Sequence, residues 1–162
     1  MSSPPDPARF LAWYDGLSGS PRERLSELCR RLRADFPHYN WVGIYVVEGH
    51  ELVLWAWDGR EATEHVRIPV DKGLCGMAVR EGRTVTVGNV DSNPEYLACF
   101  PYTRSEIVVP IFRGTVAIGE IDIDGEARNA YGPGDQAFLE ELARHLASTV
   151  TALAPSSSNP VA

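Results

Sequence analysis

A thiol and three carboxylates stand out within one short stretch. Cys99 opens it, Glu106 follows at the mouth of an apolar run, and Asp122 and Asp124 close it at alternate positions. In a β-strand, residues two apart share a face, so Asp122 and Asp124 point the same way and Glu106 lies across a hairpin from them. A solvated face normally scatters charges of mixed sign. Two acids on one face of an otherwise apolar strand leave two readings: a strand end that reaches water, or a pocket in which carboxylates surround something polar.

The elements that position these residues read as follows. Ile107–Phe112 and Thr115–Ile123 have strand character, with Arg113-Gly114 as the tight turn. Trp41–Val47 and Leu52–Trp57 form an earlier hairpin. Alternation puts Trp41, Gly43 and Tyr45 on one face and Val42, Ile44 and Val46 on the other. The aromatic face is either a ligand wall, with Gly43 leaving room, or aromatic core packing. His65–Val70 and Thr84–Gly88 are short strands, and Asp71–Gly82 is a turn into a short helix. Asn89–Arg104 shows no repeating pattern, and patternless loops of that length often act as lids or binding loops.

Three further helices are predicted. Pro7–Leu17 presents Phe10, Leu11 and Tyr14 on one side. Ser20 looks like an N-cap, with Pro21 at the first helical position and Glu23 completing a capping box. Leu25, Leu28, Cys29 and Leu32 then recur at helical spacing, which makes Cys29 a packed core thiol. A final helix after Tyr131-Gly-Pro-Gly-Asp135 carries Phe138, Leu139, Leu142, Leu146, Thr149 and Val150 as an apolar stripe. The order predicts an α+β fold, an antiparallel β-sheet with helices packed on one face and a ligand pocket on the other. One domain spans 7–153, between a flexible N-terminus (1–6) and a disordered tail (154–162).

The composition narrows the function. A chain of 162 residues suits one domain, and its net charge of −7 with a single lysine, Lys72, argues against nucleic acid. No apolar run is long enough to span a membrane and no signal peptide is evident. Three unevenly spaced cysteines do not make a disulfide framework, so a cytoplasmic location with reduced thiols is the default.

Five blocks taken together carry a resemblance. Asn40-Trp-Val-Gly-Ile-Tyr, Ile68-Pro-Val-Asp-Lys-Gly-Leu-Cys-Gly, Leu97-Ala-Cys, Ser105-Glu-Ile-Val-Val-Pro and Ile118-Gly-Glu-Ile-Asp-Ile-Asp resemble, in order, the blocks of free methionine-(R)-sulfoxide reductases. These are single-domain members of the GAF superfamily and typically homodimers, and the resemblance covers roughly residues 20–150. It implies Cys99 as the nucleophile, Glu106, Asp122 and Asp124 as the carboxylates of the substrate site, and Trp41 and Tyr45 as its aromatic wall. The residue types suit the reaction. A thiolate attacks the sulfoxide sulfur and becomes a sulfenic acid as methionine leaves. Crowded carboxylates keep a proton available for the sulfoxide oxygen. The remaining acids can bind the α-ammonium group that a peptide-bound methionine lacks, and the rings can surround the S-methyl group.

The chain departs from the family at His65, where members with a disulfide relay commonly carry a cysteine, and at Phe100 and Gly125. No bound cofactor is implied. Recycling of Cys99 is open between a Cys75 relay and direct reduction by thioredoxin or a low-molecular-weight thiol. His65 is either a base that helps ionise the thiol or a partly exposed histidine on a strand. The competing function is a non-catalytic GAF sensor for a small molecule. A cyclic nucleotide does not suit that sensor, because three acids would repel its phosphate.

Overall fold

The computed structural model describes residues 6–153. The expectations of a flexible start at residues 1–5 and a disordered tail at 154–162 lie outside the described residues. Asp6, grouped above with the flexible start, is instead the N-cap of helix α1 (Pro7–Asp15), its carboxylate accepting from the Ala8 amide at 3.2 Å. Helix α2 (Pro21–Asp35) begins with the capping box: Ser20 Oγ accepts from the Glu23 amide at 3.1 Å, and the Ser20 amide donates to the Glu23 carboxylate at 3.0 Å.

Six strands follow: β1 (Trp41–Glu48), β2 (Glu51–Gly59), β3 (Arg67–Pro69), β4 (Val85–Val87), β5 (Ser105–Arg113) and β6 (Val116–Gly125). They form one sheet in the order β3-β2-β1-β6-β5-β4, with every neighbouring pair antiparallel. Helix α3 (Gly73–Glu81) falls between β3 and β4, and α4 (Pro133–Leu153) closes the described chain. The main core lies between the sheet and α1, α2 and α4. Leu25, Leu28, Cys29 and Leu32 of α2 and Leu139, Leu142 and Leu146 of α4 meet Val42, Ile44 and Val46 of β1 and Ile121 and Ile123 of β6. Each aliphatic side chain so buried is worth about 1.5–3 kcal/mol. That face anchors the sheet and leaves the other for chemistry.

The second face carries its own cluster of Trp41, Tyr45, Val108, Phe100 and the α3 residues Leu74, Cys75 and Ala78. Helix α3 therefore lies opposite the other three, because its apolar side must be covered and the first face is already full. The β5–β6 turn is Gly114-Thr115, one residue later than the sequence suggested, with Gly114 at φ +64°. The hairpin also carries a register irregularity between Ile111 and Phe112. The third strand shortens to Arg67–Pro69, which leaves His65 in the preceding loop.

Candidate active site

Register alone assembles the acids. Asp124 of β6 pairs with Trp41 of β1 and Glu106 of β5, Asp122 with Gly43 and Val108, and Glu120 with Tyr45 and Pro110. Strand alternation puts Glu120, Asp122 and Asp124 on the second face, with Glu106 beside Asp124. All four are shut away from solvent, at 5% exposure for Glu106, 0% for Glu120, 1% for Asp122 and 3% for Asp124. Asp122 and Asp124 are thus not a strand end reaching water.

Glu120 escaped the sequence reading, although stepping back two residues from Asp122 finds it. It lies inside the run Ile118-Gly-Glu-Ile, where one acid reads as an isolated surface charge. Both of its carboxylate oxygens are buried without a hydrogen-bond partner, as are Asp122 Oδ1 and Asp124 Oδ1. Such orphaned acceptors each cost about 1–3 kcal/mol, and are retained where a ligand satisfies them.

Burial dominates the titration of these acids. It raises Glu106 well above the usual carboxylate range, and Asp122 and Asp124 add to the effect. Glu120 is raised by burial and then by Asp122. Asp124 is raised the same way, against a 3.0 Å hydrogen bond from the Thr103 hydroxyl. Asp122 is raised by burial, while Glu106 and Cys75 donate hydrogen bonds that favour its charge. Such crowding and burial favour the protonated form of these acids, which suits them to give a proton to an incoming oxygen.

Cys75 sits in the first turn of α3, 6% exposed, and its thiol donates to Glu106 Oε2 at 4.0 Å. Burial and the surrounding Asp122, Glu120 and Glu106 carboxylates raise its pKa well above the ordinary thiol value. One ligand atom each from Cys75, Glu106 and Asp122 fall within 4.8 Å of one another, a donor set compact enough to hold a metal ion. Cys99 comes from the Asn89–Arg104 loop and is partly buried. Burial raises its pKa first, then Asp124 and Asp122, while the Thr63 hydroxyl acts the other way. The thiol therefore lies within electrostatic reach of the acids. His65 Nδ1 is 3.2 Å from Cys99 Sγ, so His65 is neither on a strand nor without a partner. Cys29, Cys75 and Cys99 are all free thiols.

The aromatic wall is present but arranged differently from the sequence expectation. A Cβ on Gly43 would lie 2.5 Å from two Trp41 ring atoms, and one on Gly59 would lie 2.2 Å from Trp41 Cδ1. The indole thus lies flat over both glycines, so Gly43 makes room for Trp41 itself and not for a ligand. Its Nε1 donates to the Glu61 carbonyl at 3.2 Å, and Phe100 packs against the ring at 5.9 Å between centroids. Tyr45 is fully buried and its hydroxyl donates to the His65 carbonyl at 2.8 Å.

The loop closes over this floor. Tyr96, Leu97, Cys99 and Phe100 pack onto the second-face cluster, and Phe100 stacks on Tyr102. Tyr102 lies under the Arg60 guanidinium at 3.9 Å and donates to Glu61 Oε1 at 2.9 Å.

A family model described as GAF domain matches residues 18–151. The free methionine-R-sulfoxide reductase of Escherichia coli is 32% identical over 137 residues, covering 85% of this chain and 75% of that protein. Among solved structures, the type II free methionine-R-sulfoxide reductase of Thermoplasma acidophilum shares 43% identity at a TM-score of 0.80, covering 82% of this chain and 93% of that one. The free methionine-R-sulfoxide reductase of Neisseria meningitidis, solved in complex with its substrate, shares 34% identity at a TM-score of 0.81, covering 90% and 86%.

Proposed function

This chain belongs to the GAF-domain free methionine-R-sulfoxide reductase family, and on that premise we propose that it reduces free L-methionine (R)-S-oxide to L-methionine with Cys99 as the nucleophile. The observation that carries the reading is the set of buried, unpartnered carboxylate oxygens of Glu120, Asp122 and Asp124 near a partly buried thiol. An α-ammonium group brings three N–H donors and a positive charge to such acceptors. Peptide-bound methionine lacks that cation, which accounts for selectivity towards the free amino acid. Trp41 and Tyr45 supply the apolar wall for the S-methyl end.

The Cys99 thiolate attacks the sulfoxide sulfur, and Glu106 or Asp124, held protonated by burial, gives a proton to the oxygen. The substrate S–O bond breaks, the oxygen is transferred to Cys99 as a sulfenic acid, and methionine leaves. Cysteine is oxidised by two electrons and the sulfoxide reduced by two. A thiol then condenses with the sulfenic acid, releasing water, and a second thiol reduces the resulting disulfide. Cys75 is the more deeply buried thiol and is ringed by carboxylates that oppose its thiolate. Direct reduction by thioredoxin or a low-molecular-weight thiol is therefore favoured over a Cys75 relay. A homodimer working in the cytoplasm, where free thiols persist, completes the reading; no described helix is long and apolar enough to cross a membrane.

Incubation with the separate R and S epimers and a dithiol tests the assignment. Turnover of R alone, lost in Cys99→Ser, is the expected result. If neither epimer is consumed while the amino acid still binds, the site belongs to a GAF sensor.

A further inference from the structure

His65 has no part in the mechanism above, yet its ring is held against the reacting sulfur. Nδ1 lies 3.2 Å from Cys99 Sγ. The Tyr45 hydroxyl fixes the His65 carbonyl at 2.8 Å, and the His65 amide donates to Thr63 Oγ1 at 3.0 Å. The side chain is 20% exposed, and its other nitrogen turns towards the solvated Glu64 carboxylate at 3.9 Å. Thr63, itself buried, lies near the sulfur and favours its charged form, and the Cys99 thiol donates to the Leu97 carbonyl at 3.8 Å. Cys99 thus sits between an imidazole and a hydroxyl, in surroundings that otherwise oppose a negative sulfur.

We propose that His65 is the base that activates Cys99. Resting on the assignment of Cys99 as nucleophile, the step balances as follows. The thiol proton passes to His65 Nδ1, giving a thiolate–imidazolium pair, and the sulfur attacks the sulfoxide. The carboxylic acid that protonated the departing oxygen recovers its proton from the imidazolium, so no net proton is taken up before recycling. The titratable groups facing the pair are Glu64 on the same loop, Tyr45 of β1, Glu106 of β5, Asp122 and Asp124 of β6, and Tyr96 of the covering loop. The β5 and β6 acids repel the thiolate least while protonated, and Glu64 favours the imidazolium. The same residue holds the thiol in place and makes it reactive.

The test follows iodoacetamide alkylation of Cys99 against pH, read by mass spectrometry of its peptide, which needs no sulfoxide. In the native protein alkylation should already be appreciable at pH 7, below the ordinary thiol range. In His65→Gln the rise should move to or above the ordinary thiol range, because burial and Asp124 already raise the Cys99 thiol, slowing alkylation at pH 7 by about tenfold or more. His65→Ala should regain rate when imidazole is added, provided far-UV circular dichroism shows a native fold. A profile unchanged in His65→Gln overturns the proposal, as does a loss of turnover in that variant with the alkylation profile unmoved. If the native protein is alkylated below the ordinary thiol range and that reactivity is lost in His65→Gln, but methionine sulfoxide is not consumed, the base stands and the substrate assignment falls.

Discussion

Replacing Glu120 by Gln should flatten the pH dependence of stability and raise stability at neutral and alkaline pH. Both Glu120 oxygens are buried without partners, and burial followed by Asp122 raises its pKa well above the carboxylate range. An unfolded glutamate titrates near 4.3. The folded chain therefore holds a proton that the unfolded chain has already released. The contribution of Glu120 is complete below about pH 4 and declines as pH rises through neutrality towards the folded value. Each tenfold difference in proton affinity between the two states is worth about 1.4 kcal/mol. Glutamine keeps the shape, cannot ionise, and can donate an N–H to the orphaned Asp122 oxygen. At pH 5 the two proteins should differ by less than about 1 kcal/mol, the scale of one exchanged hydrogen bond. By pH 8 the variant should have gained at least about 1.4 kcal/mol relative to that difference, or roughly 3–6 °C in melting temperature. Urea denaturation at the two pH values measures it. Parallel stability profiles for the two proteins would refute the premise that a desolvated carboxyl sits at this position.

Three further outcomes follow from particular contacts. Gly43→Ala places a methyl 2.5 Å from the Trp41 ring, so it should cost about 1–3 kcal/mol and shift tryptophan fluorescence, measured by denaturant titration. Cys75→Ser should keep turnover with an external dithiol; a Cys75–Cys99 disulfide trapped after oxidation of the native protein by substrate contradicts direct reduction. Ser20→Ala removes half of the α2 capping box and should lower stability by about 1 kcal/mol in thermal unfolding, with substrate affinity unchanged.

What could be read beforehand followed from local chemistry. The α2 cap, the split of β1 into aliphatic and aromatic faces, and the shared face of Asp122 and Asp124 each need only neighbouring residues and a fixed period. Glu120 was within reach of the same arithmetic but was masked by its apolar neighbours. The placement of Trp41 over Gly43 and Gly59 depends on cross-strand register, which periodicity does not give. The approach of His65 to Cys99 joins two irregular segments far apart in the chain, where no repeat constrains direction. The position of α3 on the site face, and so the carboxylate ring around Cys75, is likewise a consequence of packing once α2 and α4 have filled the other side.

The role of Cys99 is tested most directly by mass spectrometry of the intact protein after a single turnover with (R)-methionine sulfoxide and no reductant. One added oxygen on the Cys99 peptide, captured by dimedone, with one equivalent of methionine released, is the predicted result. Methionine released with Cys99 unmodified, or no methionine at all from a folded protein that binds the sulfoxide, would contradict it.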